Sequence, residues 1–514
     1  MVDILYIGNC SIDKVVTENN PNETVYYGGS AINSALATAL SNNIKVGILS
    51  SIGSDYDFNF SKYGIEFLGY TIKTDSIVFK IDEKENICVV EGDYHELGDI
   101  PSITTEHLHI SFRKGVPVEK ILSSNKIKYK TLSIDVMIYS VEETKRLVEK
   151  YKDEIDLIFC NASEYQYIKD IDLDNTKILI TNEDKALIYV FEENSKSYSI
   201  PKLTEEEIIS KTAAGDTFIG GFLRNYIKDK NIDNSVFLGI SLAQESLINY
   251  GNENLDYNSI RKKYNMLINE NKVYSLPKTI VVIGSSCAGK TTFANNWINK
   301  FPIYDDIDDY APLKEVFDMD DLLRSDKRIN LNKLENSLLF SKEILKEYKN
   351  DLNNINFYTS PSINGGHNID RPILWDLILK YTIRNITDSF NIIQFSRGYD
   401  EKYEQEIGGN VYQRSINIIL NNLSEELKSK ILVVNMISNL DIRKERNRER
   451  YLNGGHIVAE ETMNTVYKED LIFEEIIDIP VFNIENKKKL TPIELEGYLS
   501  YNINSILKEY SKIK

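Results

Sequence analysis

The chain is poor in cysteine and in long apolar runs. Its 514 residues include 4 cysteines, which lie far apart with no CxxC pair, at Cys10, Cys88, Cys160 and Cys287. This spacing excludes a disulfide framework and a zinc knuckle as the basis of the fold. The sequence has no run of about 18 apolar residues, and its first residues lack a basic segment followed by an apolar one. We therefore expect a cytoplasmic protein with no membrane partner.

Positive charge is also in deficit. The chain has 60 Lys and Arg residues against 78 Asp and Glu residues, a formal net charge of -18. Such a surface repels a polyphosphate backbone, so nucleic acid is disfavoured as a partner, whereas a small phosphorylated ligand is not. The fractions of hydrophobic residues (42%) and charged residues (27%) are typical of a globular protein, and the length predicts two domains.

Short apolar runs alternate with helical segments over the first half. The runs end in Gly, Ser, Asn or Thr and lie at 4–8, 45–53, 130–138, 156–161 and 177–181. This alternation predicts a parallel sheet with helices on both faces and a ligand at the carboxyl ends of the strands. Residues 70–95 instead alternate polar and apolar positions, which predicts a small antiparallel lid.

A polar stretch rich in Asn and Lys precedes a second run of strand, loop and helix. We expect a first domain at 1–268, a linker at 269–278 and a second domain at 279–514. The halves share no period, which indicates a fusion and not a duplication. The predicted fold class is α/β, with two doubly wound domains, of which the second is a three-layer sandwich.

The second domain opens with a phosphate-binding motif. Residues 284–291 fit G-x-x-x-x-G-K-[ST] between a strand and a helix. Such a loop points N–H groups at phosphate oxygens, its lysine reaches the outer phosphates and its hydroxyl ligates Mg²⁺. We expect Lys290 to act in catalysis and Thr291 to ligate the metal. The residues expected to bind ATP are Gly284, Ser285, Ser286, Cys287, Ala288, Gly289, Lys290, Thr291 and Thr292.

Two charged clusters follow this motif. Asp306 and Asp308 end the next apolar run, where a carboxylate would orient or deprotonate an attacking hydroxyl. Arg446 and Arg450 share a helix face with Arg443, and such a face resembles the arginine-bearing lid of nucleotide kinases, which closes over the transferring phosphate. The arrangement resembles the P-loop kinases of nucleosides and other small hydroxyl compounds. The alternatives are a solvated acidic loop and a surface helix with internal ion pairs.

Small residues also mark a helix start late in the first domain. Ala213, Ala214 and Gly215 precede Asp216 and an apolar segment with two further glycines, which would allow close helix packing. Free N–H groups at such a start would form an anion hole for a transferred phosphoryl group, and Asp216 would accept the proton of the attacking hydroxyl. A helix cap without catalytic function is the alternative.

Residues 1 to about 265 resemble the ribokinase-like (PfkB) family of sugar and nucleoside kinases, whose signature centres on Gly-Ala-Gly-Asp before a helix. The matching positions follow the order of the family: Asp13, Gly28, Gly29, Asn33, Gly53, Asp55, Asn161, Glu164 and Asp216. The resemblance implies substrate binding at Asp13, Gly28, Gly29 and Asn33, and ATP and Mg²⁺ binding at Asn161 and Glu164, with Glu164 as a metal ligand. It also implies that Asp216 is the catalytic base, and it allows a homodimer formed through the lid.

The chain departs from the family at two places. Ser210 and Lys211 replace the Asp-Thr of the signature, and Ala213 replaces its first glycine. The nucleotide-contacting Thr-x-Gly-x-x-Gly retains Thr181, still expected to bind the cofactor, but loses both glycines. Side chains in their place would narrow the nucleotide site. A degenerate domain that only binds ligand is therefore an alternative to an active kinase.

Together these patterns predict a bifunctional ATP-dependent kinase. The first domain would phosphorylate a hydroxyl of a sugar or nucleoside, and the second a nucleoside, nucleotide or related metabolite. One alternative is a P-loop kinase regulated by a first domain that senses a sugar or nucleoside. The other is a kinase directed at nucleic acid, which the net acidity disfavours.

Overall fold

The chain, represented by a computed structural model, divides into two compact units, Met1–Tyr274 and Ser275–Lys514. The structure describes residues 1–17, 20–40, 43–136, 140–192, 194–270, 272–308, 328–329, 357–361, 367–369, 376, 379–380, 383, 390–397, 411–453, 458, 460–468, 479–486 and 490–513. Among the helices in these ranges, none combines the length and the apolar character of a membrane span.

Short strands make up much of the first unit. They are β1 (Val2–Ile7), β2 (Ser11–Val16), β3 (Thr24–Gly28), β4 (Val46–Leu49), β5 (Ser51–Ile52), β6 (Ile65–Phe67), β7 (Tyr70–Thr71), β8 (Val78–Asp82), β9 (Ile87–Glu91), β10 (Ile103–Phe112), β11 (Ile127–Lys128), β12 (Thr131–Val136), β13 (Leu157–Asn161), β14 (Lys177–Asn182), β15 (Ala186–Phe191), β16 (Asn194–Tyr198) and β17 (Val273–Ser275).

The main sheet has the order β17-β16-β15-β14-β13-β12-β10-β1-β4-β6. Every pair from β6 to β14 is parallel, while β15 pairs antiparallel with both β14 and β16. The predicted parallel sheet is thus confirmed. Its central strands are almost wholly buried, which explains their continuous apolar runs.

A second sheet, here called the lid sheet, has the order β3-β2-β8-β9. The predicted antiparallel segment within 70–95 is confirmed as β8 and β9. β2 pairs antiparallel with β3 and parallel with β8, so Ser11–Val16 and Thr24–Gly28 belong to the lid sheet as well. The sequence did not predict these two strands, because their polar and apolar residues form no long run.

Helices of the first unit are α1 (Ser30–Ala39), α2 (Val118–Ser123), α3 (Val141–Tyr151), α4 (Ala162–Ile168), α5 (Ala214–Asp229), α6 (Ile232–Leu247) and α7 (Tyr257–Glu270), with a 3₁₀ turn at Phe60–Tyr63. α1 is buried along its whole length and packs against α5. Ser34 Oγ donates to the carbonyl of Asp216 at 2.9 Å, and Thr38 Oγ1 donates to that of Gly220 at 2.9 Å. These contacts fix the start of α5 relative to α1.

The second unit contains a five-stranded sheet of β18 (Thr279–Ile283), β19 (Tyr304–Asp308), β23 (Phe390–Gln394), β24 (Ile431–Ile437) and β25 (Val481–Glu485), in the order β19-β23-β18-β24-β25. All four pairings are parallel. β20 (Arg328–Ile329), β21 (Phe357–Pro361) and β22 (His367–Ile369) form a separate small sheet. The helices are α8 (Lys290–Lys300), α9 (Val411–Asn422), α10 (Glu425–Ser429), α11 (Leu440–Leu452), α12 (Glu460–Thr465) and α13 (Pro492–Ile513).

The stretch expected to be a linker, 269–278, is not free of regular structure. α7 continues to Glu270, and Val273–Ser275 forms a strand at the edge of the main sheet. The sequence suggested a linker here because α7 is largely polar: its buried residues are Ile260 and Leu267. The division between the units, after Tyr274, falls within the expected segment.

Candidate active site

The site is built around the start of α5. Ala213 is the N-cap residue and has a left-handed backbone, with φ of 73°. The first N–H groups of a helix have no acceptor within the helix, so those that follow Ala213 face outward from its end. A Cβ added to Gly215 would meet no atom within 4 Å, which shows that the space beside this turn is open. The predicted anion hole at Ala213, Ala214 and Gly215 therefore lies at a helix start with open space beside it.

Asp216 lies at this helix end beside Arg113. The two side chains are 3.5 Å apart (Nη2 to Oδ1), and that of Asp216 is 18% exposed. Burial raises the pKa of Asp216, while the charge of Arg113 and a hydrogen bond from the Asn33 side chain oppose the shift. A raised pKa makes the carboxylate a better proton acceptor, as a general base requires.

Arg113 and Asp135 form a buried ion pair that sequence reasoning missed. Arg113 Nη1 and Nη2 donate to the two oxygens of Asp135 at 3.1 and 2.9 Å. Burial raises the pKa of Asp135 to about 6, and Arg113 opposes this. The available signal was a charged residue at or just beyond the carboxyl end of each apolar strand, β10 and β12, which are neighbours in the sheet.

Asp13 supplies a further buried carboxyl to the site. It is 3% exposed, accepts a hydrogen bond from Ser11 Oγ at 2.7 Å and is bonded by the Gly29 N–H. Burial raises its pKa to about 7, and the charge of Asp216 adds to the shift. Asp13 occupies the space beside Gly28, where an added Cβ would lie 1.8 Å from its Oδ2. The position of this carboxyl thus requires a glycine at position 28.

Asn33 is a buried residue whose side chain hydrogen-bonds Asp216. It is 2% exposed, and its Oδ1 is buried without a hydrogen-bond partner among the residues described. Its backbone carbonyl accepts a bond from Asn252 Nδ2 at 3.3 Å, and Asn252 also donates to Thr217 Oγ1 at 2.6 Å. An unpartnered buried oxygen next to a candidate base is suited to accept a hydroxyl donor from a ligand.

Asn161 and Glu164 form a capping box at the start of α4. The Asn161 side chain accepts the N–H groups of Ser163 and Glu164 at 2.9 Å, and Glu164 Oε2 accepts the Asn161 N–H at 2.7 Å. Burial raises the pKa of Glu164 to about 7, with smaller contributions from the charges of Asp135 and Asp216. No cluster of three or more metal-ligating side chains occurs among the described residues. Mg²⁺ often binds through one or two carboxylates, waters and substrate phosphates, so Glu164 fits that role.

A small cleft, open to solvent, lies at the carboxyl ends of β1, β4 and β10. One wall is formed by residues that flank β8 and β9 of the lid sheet. In this wall His95 hydrogen-bonds the carbonyl of Asp75 at 2.8 Å. The lining residues are Gly8, Asn9, Cys10, Ser50, Ser51, Ile77, Tyr94, His95, Leu97, Gly115 and Val116. Asn9 also lies against Gly29, since a Cβ on Gly29 would come within 2.4 Å of its carbonyl oxygen. The cleft therefore adjoins the Asp13 side of the site.

The turn between β14 and β15 forms without the two glycines of the family motif. Glu183 adopts a left-handed backbone with φ of 49°, and the Lys185 N–H donates to Asn182 O at 3.0 Å. Thr181 Oγ1 donates to Cys160 O at 3.4 Å. The turn is thus formed with Glu183 and Ala186 at the two positions where the family has glycine.

In the second unit the predicted phosphate loop joins β18 to α8. Gly284 and Gly289 have φ of 144° and 103°, and a Cβ on either would come within 2.5 Å of a neighbouring atom. Lys290 Nζ donates to the carbonyls of Gly284 and Ser285 at 3.1 and 3.0 Å. Thr291 and Thr292 are exposed in the first turn of α8.

The expected partners of this loop have different environments. Arg446 donates to Cys287 O at 3.4 Å and to Asn486 Oδ1 at 2.9 Å, so it lies against the loop. Arg450 donates to Asn447 Oδ1 at 3.3 Å. Arg443, by contrast, is 1% exposed and bonds Ser438 O at 2.7 Å, which makes it a structural residue and corrects the expectation of three arginines on one functional face.

The acidic residues of β19 are only partly described. Gln394 Nε2 donates to Asp306 Oδ1 at 2.6 Å, which ties Asp306 to the neighbouring strand. Asp308 ends β19, and its side chain lies outside the described residues.

Residues 134–256 match the family model of the pfkB family carbohydrate kinase. The N-terminal half therefore carries a PfkB/ribokinase-like domain, that of a kinase that phosphorylates a hydroxyl group.

Two curated relatives are archaeal. The chain is 28% identical over 279 residues to the cytidine kinase of Thermococcus kodakarensis, covering 49% of this chain and 98% of the relative. It is 24% identical over 260 residues to the nucleoside kinase of Methanocaldococcus jannaschii, covering 43% and 80%. The crystal structure of a nucleoside kinase from that organism, an archaeal member of the ribokinase family, is similar with a TM-score of 0.41 and 18% identity, covering 51% of this chain and 98% of that chain.

Proposed function

We propose that the N-terminal unit transfers the γ-phosphoryl group of ATP to a hydroxyl of a nucleoside. The observation that carries this proposal is the position of Asp216, a carboxylate of raised pKa at an open helix start beside Arg113 and Asn33. Both curated relatives are named as kinases of nucleosides, which favours a nucleoside over a free sugar as acceptor.

In this proposal Asp216 takes the proton of the acceptor hydroxyl while the hydroxyl oxygen bonds to the γ-phosphorus. The bond from that phosphorus to the β,γ-bridging oxygen breaks, and ADP leaves with its electron pair. The amides after Ala213 stabilise charge on the transferred group, and Asp13 holds other hydroxyls of the acceptor. Asn161 and Glu164 would hold Mg²⁺ and phosphate, and the bound Mg²⁺ would neutralise negative charge on the phosphates.

The test is a panel of cytidine, uridine, adenosine, guanosine, ribose and fructose, assayed for ADP formation with MgATP. We expect turnover with at least one nucleoside, and Asp216→Asn should lower kcat about 10²- to 10⁴-fold. Asp229→Asn, at the exposed far end of the same helix, is the matched control and should keep full activity. Nucleoside turnover that is unchanged in Asp216→Asn would refute the assignment of the base.

We further propose that the C-terminal unit is a P-loop kinase of a nucleoside, nucleotide or related metabolite, so that the protein is bifunctional. A glycine loop between a strand and a helix of a five-stranded parallel sheet supports this proposal. Lys290 would leave its two loop carbonyls to contact phosphate, and Arg446 lies close enough to assist. Asp306 or Asp308 would face the acceptor.

A second candidate function for the N-terminal unit is ligand sensing without turnover. Glu183 and Ala186, which stand where the family has glycines, favour this alternative because their side chains would narrow the nucleotide site. Isothermal titration with the same nucleosides distinguishes the two, since a sensor binds its ligand while ADP formation remains absent.

We also propose that the lid sheet pairs with a second copy of the chain. Val25, Ile87, Val89 and Val90 are exposed there at 56%, 52%, 51% and 37%. Light scattering after size exclusion should give the mass of a dimer for the wild type and of a monomer for Val89→Lys. A monomeric wild type would refute this proposal.

A further inference from the structure

The segment just before the anion-hole turn points its hydrogen-bond donors at one carboxylate from the lid. Glu83 Oε1 accepts bonds from Ser210 Oγ at 2.7 Å, Lys211 N at 2.8 Å, Thr212 N at 2.8 Å and Thr212 Oγ1 at 2.6 Å. Its Oε2 accepts a further bond from Lys211 N at 3.0 Å. Bonds to an ionised acceptor are about twice as strong as bonds between neutral groups.

Glu83 belongs to the turn between β8 and β9. Its own N–H donates to Val16 O at 2.9 Å, which continues the ladder between β8 and β2. Asp82 holds the rest of the turn by accepting the N–H groups of Lys84 and Glu85, both at 3.0 Å. Asp13 lies on β2, opposite Phe79 of β8. One small sheet therefore carries both the acceptor-side carboxyl and the carboxylate that bonds the segment 210–212.

The other side of this segment is fixed by the main body of the unit. The N–H groups of Ile209 and Ser210 donate to Leu247 O at 2.8 and 3.2 Å. Ser210 is fully buried, whereas Lys211 is exposed. Directly after Thr212 the backbone enters its left-handed turn at Ala213. The path of residues 210–212 therefore sets the direction in which the anion-hole amides point.

We propose that Glu83 is a positioning residue that fastens the lid sheet to the anion-hole turn. In the structure Glu83 bonds the donors of residues 210–212, and this contact orients the amides of α5. Loss of the Glu83 carboxylate leaves the turn without this support. The inference deepens the proposed kinase function and, in its kinetic part, rests on it.

The structural part is tested without any substrate, by hydrogen exchange followed with mass spectrometry on the whole chain. Glu83→Ala should speed exchange several-fold in peptides that contain Lys211 and Thr212. Glu85→Ala, an exposed glutamate of the same turn, is the control and should leave that exchange unchanged. Glu83→Gln keeps one oxygen in the place of Oε1 and should fall between the wild type and Glu83→Ala.

The kinetic part uses the nucleoside that the wild type phosphorylates. Glu83→Ala should lower kcat on the order of 10- to 100-fold, since small misplacements of reacting groups cost that much. KM for the nucleoside should change less than kcat. Added formate should restore part of the activity, because a free carboxylate can occupy the vacated donors. A variant that was only less stable would not respond to formate.

The outcomes separate the two proposals. If exchange at residues 211–212 is the same in Glu83→Ala as in the wild type, the contact does not hold the turn and the inference fails. If exchange rises while kcat is unchanged, Glu83 has no positioning role and the inference also fails. A wild type that turns over no acceptor refutes the kinase proposal, whereas the exchange experiment still decides whether Glu83 fastens the lid.

Discussion

At the scale of single residues, the candidate site consists of buried carboxyls around Arg113. Sequence patterns predicted Asp13, Asn33 and Asp216 as site residues, because each sits at a fixed place in an ordered set of motifs. They did not identify Arg113 or Asp135. A single charge at the end of an apolar strand has no spacing partner along the chain, and only the sheet order makes these two residues neighbours.

The ion pair permits a prediction that separates stability from activity. Arg113→Met leaves the buried Asp135 unpaired and should destabilise the N-terminal unit by roughly 3–5 kcal/mol. The double variant Arg113→Met, Asp135→Leu should recover most of that stability, since a buried apolar pair can replace an ion pair. Kinase activity should remain low in both variants, because Arg113 also contacts Asp216.

Urea unfolding followed by circular dichroism and by tryptophan fluorescence can distinguish the two units. Both tryptophans, Trp297 and Trp375, belong to the C-terminal half. Urea unfolding of the N-terminal unit should therefore change circular dichroism without changing tryptophan fluorescence. A double variant as unstable as Arg113→Met would contradict the prediction.

Asp13 gives the protein a pH dependence of known sign. Because burial raises its pKa to about 7, the folded protein retains this proton in a range where the unfolded chain has lost it. The resulting stabilisation is complete at low pH and is lost as pH rises through about 7. Asp13→Asn should remove this part of the decline in unfolding temperature between about pH 4 and about pH 7, where the unfolded chain has lost the proton and the folded protein keeps it, whereas exposed Asp57→Asn should not. Equal slopes for wild type and Asp13→Asn would show that the carboxyl is not perturbed.

At the scale of elements, the site depends on the close approach of α1 and α5. The sequence predicted tight packing around Gly220, and this is confirmed, since an added Cβ would lie 2.2 Å from Ser34 O. The hydroxyls of Ser34 and Thr38 that join the two helices were not predictable, because serine and threonine within a helix have many other roles. The lid strands β2 and β3 were also not predicted, because their polar and apolar residues form no long run.

Gly220→Ala tests this packing. The methyl group would push α5 away from α1, so we expect a loss of roughly 1–3 kcal/mol in the N-terminal unit together with lower activity. Gly215→Ala is the control for stability, since its Cβ would meet nothing within 4 Å. Urea unfolding followed by circular dichroism measures both, and equal stability of the two variants would refute the steric argument.

At the scale of the whole molecule, two units of different fold pattern share one chain. The sequence revealed both, because each begins with its own strand and carries its own motif. It did not reveal that the end of α7 and the strand β17 occupy the expected linker segment, because their polar residues resemble those of a linker.

Separate sites predict separable activities. Lys290→Ala should abolish phosphoryl transfer by the C-terminal unit and leave nucleoside phosphorylation intact, while Asp216→Asn should do the reverse. Both variants would be assayed against the same metabolite panel, with unfolding curves as the check on folding. Loss of both activities in either folded variant would show that the units do not work independently.

The methyl group of Ala213 has a consequence for how the protein responds to heat. A left-handed backbone costs an ordinary L-residue roughly 1–2 kcal/mol, and glycine avoids this cost. The alanine thus lowers the unfolding temperature, but it also restricts the backbone of the turn to fewer conformations than glycine would. Laboratory selection for survival at higher temperature should therefore recover glycine at position 213 early. The selected variants should unfold at higher temperature, but their turn at position 213 should adopt more backbone conformations.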